Sequence, residues 1–202
     1  TVSSEGTHLL LATAVDALGN ASSASLSFTL DFTAPVLTVS GVSSGQVRNT
    51  PATISYSATG AASVGATLDG VPFGSGDTVS TEGDHVLVVT ASDAAGNSAT
   101  QSAPFTLDFT TPVISISGVV SGELRNSAAT ITFSAADAHP GATSAILDGV
   151  AFSSGSTVNT EGDHLLVVTS TDAAGNSATR SAPFSIDFTP PWRRLTLREA
   201  IR

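Results

Sequence analysis

Three short blocks recur along this chain in the same order and at nearly the same spacing, and that repetition limits the possible folds more than any other feature. Asp16-Ala17-Leu18-Gly19-Asn20 returns as Asp93-Ala94-Ala95-Gly96-Asn97 and again as Asp172-Ala173-Ala174-Gly175-Asn176, offsets of 77 and 79 residues. Glu5-Gly6-Thr7-His8 returns at Glu82 to His85 and at Glu161 to His164 with the same two offsets. Leu30-Asp31-Phe32-Thr33 returns at Leu107 to Thr110 and as Ile186-Asp187-Phe188-Thr189. The chain therefore divides into the last third of one repeat (1–33), two complete repeats (34–110 and 111–189) and an unrelated tail (190–202). The last repeat is longer where Thr59-Gly60-Ala61 becomes Asp137-Ala138-His139-Pro140-Gly141, an insertion that marks a surface loop.

Each complete repeat reads as β-strand. Ala52 to Ser57 and Val36 to Val39 alternate polar and apolar side chains, and Val86 to Ala91 is an apolar run rich in β-branched residues. Leu68-Asp69-Gly70-Val71 and Leu147-Asp148-Gly149-Val150 set Asp-Gly between apolar residues, a strong hairpin signal. About seven short strands in roughly 78 residues fit an all-β, two-sheet sandwich of the immunoglobulin-like kind. Ala34-Pro35 and Thr111-Pro112 follow directly on a terminal strand, and proline holds the preceding residue extended. Such stiff joints predict repeats stacked end to end as a rod.

Composition narrows the function. The chain has no Cys and no Lys, its seven basic residues are all Arg, and its formal net charge is −10. This acidic balance argues against nucleic acid and against anionic membrane surfaces, and it favours attraction of cations. No run is apolar enough for a membrane helix, so membrane insertion is not expected. Lack of Cys excludes disulfide staples and thiolate metal sites.

The run from Glu82 to Asn97, followed by Phe105-Thr106-Leu107-Asp108 and a Thr-Pro linker, resembles the bacterial Ig-like tandem repeats of large secreted and surface adhesins and biofilm proteins. The resemblance covers 1–189 and implies an extracellular or cell-surface protein. In several giant adhesins of this kind, calcium ions stiffen the junctions between repeats. With an immunoglobulin-like topology, the turn before the last strand of one repeat lies beside the end of the preceding repeat. At the first junction Glu5 and Asp31 would face Asp93 and Asn97. At the second, Glu82, Asp84 and Asp108 would face Asp172, Asn176 and Asp137. Calcium takes six to eight oxygens, which carboxylates, amides and carbonyls supply. No cofactor is required for the fold itself. The competing reading is that Asp-Ala-Ala-Gly-Asn is simply a good turn, in which Asp accepts backbone hydrogen bonds while Gly and Asn tolerate positive φ.

His8, His85 and His164 recur where immunoglobulin-like folds often carry the tyrosine of a corner motif, so a strand-start role is expected, and His139 sits alone in its loop. Catalytic residues should break a repeat, whereas here the candidates are the repeated ones, so the chain is not expected to be an enzyme. Tyr56 is matched by Phe133, and the phenylalanines recur at 32/109/188, 105/184 and 73/152, which reads as core. The expected function is an extracellular spacer or stalk related to adhesion, contacting its neighbouring repeats and an unknown cell-surface or matrix ligand. One alternative is a glycan-binding module. Another is a subunit of a self-assembling fibre, in which the partial repeat 1–33 is completed by strand exchange; truncation of a longer chain is the simpler origin of that partial repeat. The tail holds four of the seven Arg residues and reads as unstructured or as the start of another region, its arginines facing Asp148, Asp163 or Asp187.

Overall fold

The computed structural model describes residues 1–190; the tail expectations for 191–202 lie outside the described residues. The described residues are all-β, with no helix among them, and form tandem β-sandwiches. They fall into two compact units that divide between Leu107 and Asp108.

In the first unit, β1 (Gly6–Val15) and β2 (Ala21–Leu30) make an isolated antiparallel hairpin. Thr1 to Ser3 lie outside any ladder. The unit continues with β3 (Val36–Ser40), β4 (Gln46–Arg48), β5 (Ala52–Thr53), β6 (Ser55–Thr59), β7 (Ser63–Leu68) and β8 (Val71–Phe73). β9 (Thr78–Val79), β10 (Gly83–Ser92) and β11 (Ser98–Leu107) complete it. One sheet has the order β4-β11-β10-β7-β8, with β4 parallel to β11. The facing layer pairs β3 with β6 and β5 with β9, and Ile54 bridges the break by bonding Asp77 and Gly76.

The second unit repeats the plan with β12 (Val113–Ser117), β13 (Glu123–Arg125), β14 (Ala129–Ala136), β15 (Ala142–Leu147) and β16 (Val150–Ala151). It closes with β17 (Ser156–Val158), β18 (Gly162–Thr171) and β19 (Ser177–Ile186). A sheet of order β13-β19-β18-β15-β16 faces one of order β12-β14-β17. This is an immunoglobulin-like sandwich. The inserted residues 137–141 fall in the loop between β14 and β15, as the length difference predicted.

Alternation places the core. Along β18, His164, Leu166, Val168 and Ser170 point inward while their neighbours face out, and β19 contributes Ala182, Phe184 and Ile186. Against them pack Ile114, Ile131 and Val158 from the opposite sheet. The hairpin β1–β2 has the same register as β10–β11 but no facing layer, so Leu9, Leu10, Leu11 and Leu26 are exposed. The phenylalanine expectation needs correcting. Phe105 and Phe184 are core, yet Phe32 is 61% and Phe188 43% exposed, because both follow the last strand of their repeat. The Tyr56 hydroxyl donates to the Phe73 carbonyl at 2.7 Å, fixing the half-buried ring to its own sandwich.

Two close approaches explain why glycine stands before β4 and β13. A Cβ on Gly41 or Gly118 would lie 2.0 Å from the carbonyl oxygen of Thr53 or Thr130, and φ is +95° and +96° there. Arg48 and Arg125 then donate to the Gly41 and Gly118 carbonyls at 2.8 and 2.6 Å, tying this corner down.

The repeated histidines anchor the hairpins. His85 Nε2 donates to the Thr81 carbonyl at 2.9 Å, His164 Nε2 to that of Thr160 at 3.0 Å, and His8 Nε2 to that of Ser4 at 2.8 Å. Each ring tilts against a phenylalanine (Phe105, Phe184 or Phe28) with centroids 5.2–5.4 Å apart. This is a corner contact of the kind expected. A second contact is new. His85 Nδ1 donates to Asp69 at 2.8 Å and His164 Nδ1 to Asp148 at 2.7 Å. Asp69 and Asp148 sit at positive φ in the Asp-Gly turns, and each also accepts from the backbone of β10 or β18, at Val86 or Leu165. The latch thus pins the turn β7–β8 to β10, and β15–β16 to β18.

Both ring nitrogens face acceptors, so the latch is complete when the ring is a cation and the aspartate an anion. Burial works against the charge on His85, but its hydrogen bond to Asp69, with Thr81 and Asp84 nearby, outweighs it and raises the pKa. On His164 the hydrogen bond to Asp148 is itself the largest effect, and the pKa is again raised. Asp69 and Asp148 lose some stabilisation of their charge by burial, but their histidine partners overcome this and hold both below the ordinary aspartate value. The histidine contribution is therefore fully present below the ordinary histidine value and is lost as pH rises through the raised one. The aspartate contribution is present above the ordinary carboxylate value and is lost as pH falls through the lowered one. Melting temperature measured from about pH 5 to 9 should decline toward the alkaline end. The double variant Asp69→Asn, Asp148→Asn should flatten that decline, and His164→Ala should cost roughly 1–3 kcal/mol at neutral pH.

Candidate functional site

The recurring Asp-x-x-Gly-Asn block forms the same turn three times. In the turn joining β10 to β11, Asp93 Oδ1 accepts from the Ala95 and Asn97 amides at 2.9 Å, and Oδ2 accepts from Asn97 Nδ2 at 2.9 Å. Asp172 holds Gly175 and Asn176 in the same manner at 2.7–2.8 Å, and Asp16 holds Leu18 and Asn20 at 2.8–2.9 Å. The Asn97 side chain is the largest influence on Asp93 and pulls its pKa down, as that of Asn20 does for Asp16. Asp172 is 6% exposed; burial opposes its charge, but Asn176 and the turn amides prevail and its pKa is lowered.

Each asparagine then reaches beyond its turn. Asn97 Nδ2 also donates to the backbone carbonyl of Asp31 at 3.0 Å, and Asn176 Nδ2 to that of Asp108 at 2.8 Å. One amide therefore bridges the turn carboxylate and an aspartate carbonyl 66 or 68 residues earlier in the chain. Asp31 uses its own carboxylate to cap Thr33, and Glu5 accepts from the Thr33 hydroxyl at 2.7 Å. Asp31, Asp93 and Asn97 thus meet, but through a carbonyl and an amide, with the carboxylate oxygens of Asp93 already engaged.

Glu82 and Asp84 are exposed in the first unit, and Asp84 accepts from the Thr106 hydroxyl at 2.6 Å across the β10–β11 ladder. In the second unit Asp108, Asp137, Asp172 and Asn176 gather around one turn. Asp108 is 2% exposed; it caps Thr110 through Oδ1 at 3.0 Å, while Oδ2 accepts from His139 Nδ1 at 2.9 Å. Asp137 accepts the backbone amide of His139 at 2.8 Å. His139, expected to stand alone in its loop, is therefore paired. Its pairing had no recurring signal in the sequence, since the loop occurs in one repeat only.

Among the described residues no Gly-x-Ser-x-Gly elbow is formed. Gly41-Val42-Ser43-Ser44-Gly45 does spell Gly-x-Ser-x-Gly, but it links β3 to β4, with Gln46 bonding back to the Ser43 carbonyl at 3.1 Å. The elbow chemistry requires a strand-to-helix turn, and no helix follows. The His–Asp pairs are spent on turns, with both ring nitrogens of His85 and His164 occupied.

No known sequence family matches the chain, and no curated protein matches it. Solved structures of similar shape include fibronectin(III)-like modules of Clostridium thermocellum CbhA, at 15% identity and TM-score 0.42, covering 75% of this chain and 94% of that one. Another is a Ca2+-stabilized adhesin that helps an Antarctic bacterium bind ice, at 20% identity and TM-score 0.33, covering 90% of this chain and 57% of that one. A third is the extracellular cadherin domains 1–4 of protocadherin gamma B7, at 15% identity and TM-score 0.36, covering 90% and 57%.

Proposed function

We propose that this chain is a structural module of an extracellular or cell-surface protein, an adhesion-related spacer built from one partial and two complete immunoglobulin-like repeats (1–33, 34–110 and 111–189). The observation that carries this reading is that its most chemically capable side chains are the repeated ones and serve as structural pins. Three Asp–Asn turns, two His–Asp latches and two asparagine-to-carbonyl bridges recur in register, so each copy does the same work. These recurring pins are not a reaction centre, and the one arrangement that does not recur, His139 with Asp108, ties its loop in place, which argues against an enzyme. The single Trp lies in the tail, and Tyr56 is tied to its own sandwich, which gives a glycan little aromatic platform to stack on. The exposed leucines of β1–β2 are what the fibre alternative would use: a second copy would have to complete that hairpin by strand exchange.

Pulling single molecules by their ends tests the spacer. A load-bearing module should give two unfolding events, each lengthening the chain by roughly 26–28 nm, the reach of about 78 extended residues at ~3.4–3.6 Å each. Compliant extension without such events, or selective retention on a glycan array, would replace this reading with a binding one.

We also propose that the fold needs no cofactor and that calcium adds to the joints. It would be drawn by Glu5, Asp31, Asp93 and Asn97 at the first, and by Glu82, Asp84, Asp108, Asp137, Asp172 and Asn176 at the second. The support is the density of oxygen donors on a chain of net charge −10. Thermal melts with calcium and with chelator should then differ by a few degrees, both starting from a folded chain. Identical curves would remove calcium from the account.

A further inference from the structure

The loop unique to the last repeat does more than lengthen it. One ring nitrogen of His139, one carboxylate oxygen of Asp108 and one of Asp137 all lie within 4.8 Å of one another. Among the described residues this is the one group of three or more such side chains close enough to share an ion. Two of the three members, Asp137 and His139, come from the insertion; the corresponding loop of the preceding repeat is Thr59-Gly60-Ala61 and offers neither.

The three donors are held by backbone contacts independent of their own hydrogen bonds. The His139 carbonyl accepts from the Ala173 amide at 2.9 Å, which seats the loop on the Asp172–Asn176 turn. Gly141 passes so close to β18 that a Cβ there would meet the Thr171 carbonyl oxygen at 2.2 Å. On the other side, Asn176 grips the Asp108 carbonyl and the Asp172 carboxylate together. The same turn thus fixes both halves of the group, so ligand binding would not first have to order a floppy loop.

The donor types select the ion. An imidazole nitrogen beside two carboxylates suits a first-row divalent transition ion, whereas calcium seeks six to eight oxygens and gains nothing from nitrogen. Charge also balances: two carboxylates and a neutral imidazole cancel a doubly charged ion. Among the described residues no arginine pairs with Asp108, whose one ionic partner is His139. The proton between His139 Nδ1 and Asp108 Oδ2, atoms 2.9 Å apart, occupies the place an ion would take. Binding at that nitrogen would leave the neutral ring with its single proton on the other nitrogen, and water would complete the coordination.

We infer that Asp108, Asp137 and His139 form a binding site for a divalent transition ion of the zinc class, specific to this repeat, which clamps the inserted loop to the residue that begins the unit. The inference rests on the reading that a cation binds at this joint, and it changes the ion's class. The test uses the full chain, stripped of metal, titrated with zinc or calcium by calorimetry and followed by thermal melting. The expected result is one zinc per chain with a raised melting temperature and no substitution by calcium. His139→Ala and Asp137→Asn, both at half-buried loop positions, should each weaken zinc binding by about ten- to a hundredfold. Zinc binding indifferent to both variants would overturn the site. Calcium binding that survives His139→Ala, without zinc binding, would overturn it while leaving the calcium reading standing. No binding of either ion would overturn both.

Discussion

A chain with 17 acidic residues and no lysine has to hold its carboxylates by other means, and that constraint shapes most of the polar structure. The three arginines among the described residues are spent largely on backbone: Arg48 on Gly41 and Pro51, Arg125 on Gly118 and Ser127, Arg180 on Ile114. What remains for the acids is turn amides, asparagine side chains and imidazole. Asp16, Asp93 and Asp172 take the first two, while Asp69, Asp148 and Asp108 take the third. A hydrogen bond to a charged acceptor is about twice as strong as one between neutral groups, so these pins contribute where the small-residue core is thin.

The geometry also separates a structural role from a chemical one. A histidine bonded to an aspartate is half of a familiar catalytic arrangement, but catalysis needs the far nitrogen free to take a proton from a nucleophile. In His85 and His164 that nitrogen donates to a backbone carbonyl four residues earlier. The ring is a rivet between a turn and a strand start. The asparagine bridges work over a longer range, because one amide ties a turn to an aspartate carbonyl 66 or 68 residues earlier.

Much of the fold was legible because it recurs. The Asp-Gly hairpins, the strand alternation and the position of the inserted loop all follow from residues whose local chemistry admits few alternatives. The histidine corner was also readable, but its aspartate partner was not. Asp69 in its turn and His85 on β10 lie 16 residues apart, and only the fact that Asp148 and His164 keep the same interval could have signalled the pair. The His139–Asp108 contact spans 31 residues and occurs once, so no periodicity exposes it. Phe32 and Phe188 misled for the opposite reason. Recurrence marks a shared position, and theirs lies past the last strand, where a ring has no sheet to bury it.

His85 and His164 act as structural pins through their latches to Asp69 and Asp148, which are complete when the ring is a cation. Nitrogen-detected NMR of the imidazole rings, followed across pH, tests that role most directly. The rings of His85 and His164 should titrate above the ordinary histidine value and carry protons on both nitrogens at pH below it. Neutral rings with one bare nitrogen, titrating below that value, would contradict the latch and the structural account built on it.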